Sequence, residues 1–289
     1  MACIMSGEEA AASIDRRTAA RVAAIKNRGV EPSLAIVRVG EPDDAVAYER
    51  GASGSCARTG VSVRRISLPA SVGQREVESI VAELSADAGV HGILLLDPLP
   101  RHVNVQAVKA KLDPSKDVDG VTSVSFAKVY AGYGEGFAPC TAEACMRMLC
   151  HFGVECSGKR VAVIGHSLVV GRPVAMMLLG ADATPTICHI KTVGTPEIAR
   201  EADIVIVATG LTQAIGRAYF RAGQAVLDVG IGLDDRERRL RGDVVFNEVE
   251  PLVDFITPVP GGVGVVTSSV LASHVAQAAE KCLRIARPV

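Results

Sequence analysis

VAVIGHSLVVGRPVAMML, residues 161–178, reads as one strand, one tight turn and the start of one helix. The apolar run ends at Gly165, where the chain must turn. Ser167 is small, and Gly171 falls where a helix would pass close to a sheet. The spacing is G-x-S-x-x-x-G and not the usual G-x-G-x-x-G. Two readings therefore stand: a dinucleotide-binding βα turn, or an ordinary strand-to-helix connection.

The same alternation continues on both sides. Downstream, strands are expected near 184–189, 204–208, 225–229 and 255–256, separated by helical runs, which implies parallel sheets with right-handed crossovers. Upstream, strands are expected at 34–39, 61–68 and 90–96, and helices at 43–59 and 75–84. An alanine-rich helix capped by Ser6 and Glu9 runs to about Gly29. Residues 112–122 break the periodicity, and the charged stretch 233–244 reads as an exposed hairpin or loop. The expected fold class is α/β, with two domains around a cleft. The first comprises residues 1–138 with a C-terminal helix, 268–289. The second, 139–267, is Rossmann-like.

Composition narrows the function. The chain has 289 residues, a formal net charge of −1, 3% aromatics and no Trp. With no basic block and few stacking rings, a nucleic-acid partner has no support. The opening residues lack a leader pattern, and no apolar run approaches the ~18 residues of a membrane span. Eight cysteines occur without a C-x-x-C pair, and Cys140, Cys145 and Cys150 recur every five residues, which spreads them around a helix. Reduced core thiols, no metal site and a cytoplasmic setting are expected.

Two further stretches carry chemistry. In ITPVPGGVGVVT (256–267), Pro258 and Pro260 flank Val259, and Gly261, Gly262 and Gly264 follow. This is a shaped loop with its amides free for an anion or flat polar ring, or else a tight connection. In TICHIKT (186–192), the place for an acid that would hold a ribose hydroxyl carries none. His189 and Lys191 stand there, with His166 in the preceding turn, and such groups favour a 2′-phosphate.

TPVPGGVG resembles a signature of the methylenetetrahydrofolate dehydrogenase/cyclohydrolase family (FolD), and other motifs follow in the family's order. HSLVVGRP (166–173) is similar to its R/A-S-x-I-V-G-R-P, CHIKT to its C-H-S-K-T, and PCTAEA (139–144) to its P-C-T-P-x-G. K-D-V-D-G is intact at 116–120, and GILLLDPLP (92–100) is similar to G-I-L-V-Q-L-P-L-P. The resemblance covers nearly the whole chain. It implies a first domain that holds folate through Tyr48 and Asp119, the latter gripping the pterin nitrogens, with Pro260, Gly261 and Gly262 beside the substrate. Asp97 either joins them or caps the next segment. The cofactor would be NADP, with NAD the alternative, held by Gly165, His166, Ser167, Gly171, Arg172 and Pro173. His189, Lys191, Thr209, Gly210, Asp228, Gly230 and Gly264 would complete that site. A homodimer is also implied.

The departures matter as much. The family's Y-V-x-x-K-x-K reads Tyr48 to Gly54 here, with Ala52 and Gly54 in place of the lysines. There is no lysine between Lys26 and Lys109, so a register slip supplies none. Leu96 replaces the glutamine that partners the first lysine, His166 stands where some members carry Arg, Ile190 replaces a serine, and Val265 replaces a proline. Gly51 and Gly54 each cost a helix about 1 kcal/mol relative to Ala, so a frayed or bent helix is expected. The reading is an NAD(P)-dependent 5,10-methylenetetrahydrofolate dehydrogenase with cyclohydrolase activity lost or weak. Its rivals are the full bifunctional enzyme, a silent folate- or nucleotide-binding homologue, and an unrelated Rossmann dehydrogenase.

Overall fold

Short apolar runs bounded by Gly, Pro and polar turns form the strands, and longer amphipathic runs form the helices. The computed structural model describes residues 1–234 and 239–285. The chain begins β1 (Cys3–Ile4), α1 (Gly7–Lys26), β2 (Ser33–Val39), α2 (Asp43–Thr59), β3 (Ser62–Leu68), α3 (Gln74–Ala86) and β4 (Gly92–Leu95). Next come α4 (Val105–Lys109), α5 (Ser123–Ala131), α6 (Cys140–His151), β5 (Arg160–Ile164), α7 (Gly171–Leu179) and β6 (Thr184–Cys188). After α8 (Thr195–Glu201) follow β7 (Ile204–Val207), β8 (Ala225–Asp228), β9 (Gly232–Asp234) and β10 (Arg239–Arg241). The last are α9 (Phe246–Val249), β11 (Phe255–Ile256) and α10 (Val263–Ile285).

The chain divides into two compact units. One comprises Ala12–Cys140 with the chain from Ser268 onward, and its sheet has the order β3-β2-β4, all parallel. β2 is central and buried on both faces, as its unbroken apolar run requires. On α3, Val77, Val81 and Leu84 form a stripe that packs into the same core as Val37 and Ile93.

The other unit comprises Met1–Ala11 with Thr141–Thr267. Its six strands, ordered β1-β11-β8-β7-β5-β6, are all parallel. β7 and β8 are buried throughout, whereas β6 lies at the edge. The strand order reverses at β5, with β6 on one side and β7 on the other. In open α/β sheets such a switch point is where ligands bind, at the carboxyl ends of the strands.

Several details differ from the sequence reading. Residues 1–11 join the six-stranded unit because Cys3 and Ile4 pair with Phe255 and Ile256, and Gly7 N–H donates to the Gly261 carbonyl at 2.7 Å. Ser6 caps α1 by accepting from Glu8 N–H at 3.3 Å. α2 is continuous through Gly51 and Gly54, since Ser55 and Arg58 bond Asp15 at 3.2 and 2.6 Å and hold its second half. α10 begins at Val263, so Gly264 lies in its first turn. β9 and β10 form an antiparallel pair, while Gly242, Asp243 and Val244 are buried, not exposed. Residues 235–238 of that stretch, and 286–289 of the expected C-terminal helix, lie outside the described residues. All eight cysteines are free, but Cys3, Cys150 and Cys282 are exposed instead of core.

Candidate active site

In the three-stranded unit, α2 carries Tyr48 and the 116–120 loop carries Asp119, and the Tyr48 hydroxyl donates to Asp119 Oδ1 at 3.0 Å. The rest of K-D-V-D-G is turned inward. Lys116 Nζ donates to the carbonyls of Leu84 and Asp87 at 3.3 and 2.6 Å. The Asp117 carboxylate accepts from Val121 N–H, Thr122 N–H, Thr122 Oγ1 and Ser125 Oγ at 2.6–3.0 Å, which locks the loop onto the start of α5. Gly120 has φ +70°, and a Cβ there would enter the backbone of Ala138 and Pro139. Asp119 is thus presented by a loop whose neighbours are all tied down.

Burial pushes the Asp119 carboxyl up to about 6; the Tyr48 bond pulls against this, and the charge of Asp117 adds to it. Tyr48 lies well above its ordinary value, through burial first and the adjacent Asp119 second. The hydroxyl therefore stays protonated as a donor. One turn beyond Tyr48, Ala52 is 0% exposed, and Leu96, just past the end of β4, is 2% exposed. Asp97, the neighbour of Leu96, is exposed and accepts from Lys109 Nζ at 2.9 Å.

Cys140 and His274 were not singled out from the sequence as site residues, yet they close the back of this loop. The His274 ring nitrogen Nδ1 lies 2.8 Å from the Val118 carbonyl, and Cys140 Sγ donates to that same oxygen at 3.2 Å. No spacing rule links positions 134 residues apart.

In the six-stranded unit the candidates sit past the carboxyl ends of β5, β6, β7 and β8. Gly165 has φ +129°; a Cβ on it would enter the Ala208 carbonyl, and one on Gly171 would enter the Gly165 carbonyl. Both positions therefore exclude a side chain, because backbone packs against backbone there. Ser167 Oγ accepts from Val170 N–H at 3.1 Å, and His166 and His189 approach with ring centroids 5.2 Å apart. His189 Nδ1 accepts the Lys191 amide at 3.1 Å, which places its remaining proton on Nε2, free to donate. His166, Ser167, Arg172, His189 and Lys191 are exposed, whereas Pro173 packs inside α7.

Thr209, Gly210, Asp228 and Gly230 form a second group around a residue the sequence reading passed over, Asp243. Its Oδ2 accepts from Thr209 N–H, Thr209 Oγ1 and Gly210 N–H at 2.6–2.9 Å. Asp228 accepts from the amides of Gly230, Asp243 and Val244 at 2.9–3.1 Å. Both carboxylates face their own loops. In the glycine-rich loop, Gly261 has φ +103°, a Cβ on Gly262 would enter the Pro258 carbonyl, and Pro260 and Gly264 are exposed.

Residues 5–119 match the catalytic domain of tetrahydrofolate dehydrogenase/cyclohydrolase, and residues 139–283 match its NAD(P)-binding domain. The chain belongs to this family. The bifunctional protein FolD of Carboxydothermus hydrogenoformans is 42% identical over 281 residues, 97% of this chain and 98% of its own. The FolD methylenetetrahydrofolate dehydrogenase/cyclohydrolase of Campylobacter jejuni is 33% identical with a TM-score of 0.93, covering 97% of this chain and 99% of that one. The FolD of Trypanosoma brucei, solved with NADP and an inhibitor, is 33% identical with a TM-score of 0.92 over 98% and 99%. Among the described residues no helix is long and apolar enough to cross a membrane, and no group of metal-ligating side chains is gathered. In this FolD-family chain the Tyr48 hydroxyl bonds Asp119, and the side chains of Ala52 and Leu96 are buried and apolar.

Proposed function

We propose that this chain is a 5,10-methylenetetrahydrofolate dehydrogenase that uses NADP and has lost most or all methenyltetrahydrofolate cyclohydrolase activity. The observation that carries the reading is the contrast between an intact Tyr48–Asp119 bond and two apolar side chains, Ala52 and Leu96, at the places of the family's lysine and glutamine.

The residues present fit a dinucleotide. The turn at Gly165 leads into the N-terminus of α7, which would receive a pyrophosphate, and His189 Nε2 with Lys191 offers donors to a 2′-phosphate. When bound, the nicotinamide supplies the hydride acceptor. The chain's own residues position the folate. Asp119, as a carboxylate, accepts two pterin N–H bonds in a bidentate grip, and Tyr48 holds that carboxylate in orientation. Hydride loss from the methylene leaves an amidinium cation shared by two folate nitrogens, and no proton moves, so orientation suffices.

Hydrolysis of that cation differs. Water must lose a proton as it attacks, and a folate nitrogen must gain one for ring opening. A placed acid/base group contributes typically ~10²–10⁴-fold to such a step, and Ala52 and Leu96 can move no proton. Asp97 is engaged with Lys109. The names of the relatives favour a second reading, the full bifunctional enzyme, which requires another group to replace the lysine. By the same resemblance we propose a cytoplasmic homodimer, checked by sedimentation.

Steady-state assays of the purified protein with methylene- and methenyltetrahydrofolate decide the matter. Cofactor reduction is expected, with higher kcat/KM for NADP than NAD, together with methenyl hydrolysis near the uncatalysed rate. Hydrolysis comparable with dehydrogenation would establish the bifunctional reading. No reduction of either cofactor would leave a binding protein.

A further inference from the structure

We propose that His274 is a positioning residue for folate recognition: its imidazole anchors the turn from which Asp119 projects. The proposal rests on the reading of Tyr48 and Asp119 as the folate site. His274 lies on α10, 155 positions along the chain from Asp119, and is 2% exposed. Its Nδ1 lies 2.8 Å from the Val118 carbonyl oxygen. A carbonyl only accepts, so this nitrogen carries a proton and donates it.

Val118 directly precedes Asp119, and its carbonyl belongs to the peptide that sets the direction of the Asp119 side chain. Asp117 ties the loop to α5, Lys116 ties it to the end of α3, and Asp119 is held by the Tyr48 hydroxyl at its carboxylate and by Cys140 N–H at its carbonyl, 3.4 Å. At Val118 the donors are His274 and the Cys140 thiol, whose Sγ also lies 3.7 Å from the imidazole. A thiol is a weak donor, so the imidazole N–H is the stronger tether.

The ring is itself held. Phe137 packs against it with centroids 4.8 Å apart, and Lys281 and Lys128 place their ammonium groups 4.7 and 5.6 Å from the centre of that Phe137 ring. Val275, next along α10, comes within reach of a Cβ at Gly92, so the helix is seated closely on β4. A histidine so confined cannot swing away, and its proton is aimed at one oxygen. If that bond is removed, the Val118–Asp119 peptide gains freedom, and the carboxylate loses part of its preorganisation for the pterin.

The experiment compares His274→Gln, His274→Leu and His274→Asn in the full chain. Asn places an amide N–H close to the position of Nδ1, whereas Gln places it at the far nitrogen. Tetrahydrofolate affinity is measured by anaerobic calorimetry, NADPH affinity by fluorescence, and KM and kcat by cofactor reduction. One lost hydrogen bond of this kind corresponds to about 3- to 10-fold. His274→Gln and His274→Leu are expected to weaken tetrahydrofolate binding and raise the KM for methylenetetrahydrofolate by that factor, with NADPH affinity unchanged. His274→Asn is expected to restore folate binding to within about 2-fold of the parent. If His274→Leu does not fold, Gln against Asn makes the same comparison.

Folate affinity unchanged in Gln, equal weakening toward folate and NADPH, or failure of Asn to rescue would each overturn the proposal. A parent protein that binds no tetrahydrofolate would instead overturn the underlying reading of the site, a result distinct from all of these.

Discussion

On the proposed reading of the site, Asp119 makes folate recognition depend on pH. Its carboxyl is raised to about 6, by burial above all, and the Tyr48 bond opposes that shift by favouring the anion. Gripping two pterin N–H groups needs the anion, so kcat/KM for the folate should fall as pH drops through about 6. Tyr48→Phe deletes the opposing bond, and the acid limb should move upward by roughly half to one pH unit. A pH profile of kcat/KM for the two proteins checks this; an unmoved limb would mean that Asp119 does not set it. At the altered pair, Ala52→Lys with Leu96→Gln should raise methenyl hydrolysis by at least ~10-fold but short of the full ~10²–10⁴-fold, because position 52 is fully buried and its lysine must find room. No gain in that double variant would sever the link between this pair and hydrolysis. At this scale, legibility followed contiguity. K-D-V-D-G is one string, and a resemblance can attach an expected role to it. His274 and Asp243 act through backbone groups far away in sequence, and no residue pattern announces such a partner.

Elements were read better than the reasons for their integrity. The parallel strands follow from short apolar runs, and the boundaries of α2 match its helical pattern to the residue. The expected fraying of α2 failed because intrinsic propensity is a weak prior beside tertiary contacts. Its two glycines are in fact unlike. A Cβ at Gly54 would meet Arg58 at 3.6 Å, an ordinary contact, whereas one at Gly51 would meet Ser268 Oγ at 2.9 Å. Gly54→Ala should therefore gain most of the helix preference, about 0.5–1 kcal/mol, while Gly51→Ala gains less because Ser268 must shift. Urea midpoints of the two single variants check the order, and a larger gain at Gly51 would contradict the packing seen on α10. The N-terminus was misplaced for a related reason. A strand of two residues carries no periodicity, so only its pairing with β11 reveals which sheet it joins.

Across the whole molecule, stability should carry the signature of buried carboxylates. Asp228 is the clearest case. Burial pushes its carboxyl up to about 7, against the pull of the Val244, Asp243 and Gly230 amides and with the neighbouring Asp243 charge adding to the rise. Unfolded, the same group titrates near ~3.9. Between those values the folded protein binds a proton that the unfolded chain does not. Stability from this group is therefore fully present below about 4, declines as pH rises through about 7, and is level above that. The swing is on the order of 2–4 kcal/mol. Asp119 has the same sign in the other unit, so total stability alone does not isolate Asp228. Asp228→Asn does. The amide cannot ionise, it retains an oxygen for the Gly230 and Asp243 N–H groups, and its lost bond to Val244 is a constant offset at every pH. Urea unfolding of both proteins from pH 5 to 8 should show the parent's advantage shrinking by about 2–3 kcal/mol as pH rises, the part of the swing that falls in this range. Curves that stay parallel would show that Asp228 keeps one charge state across this range, and that its three amide bonds outweigh its burial.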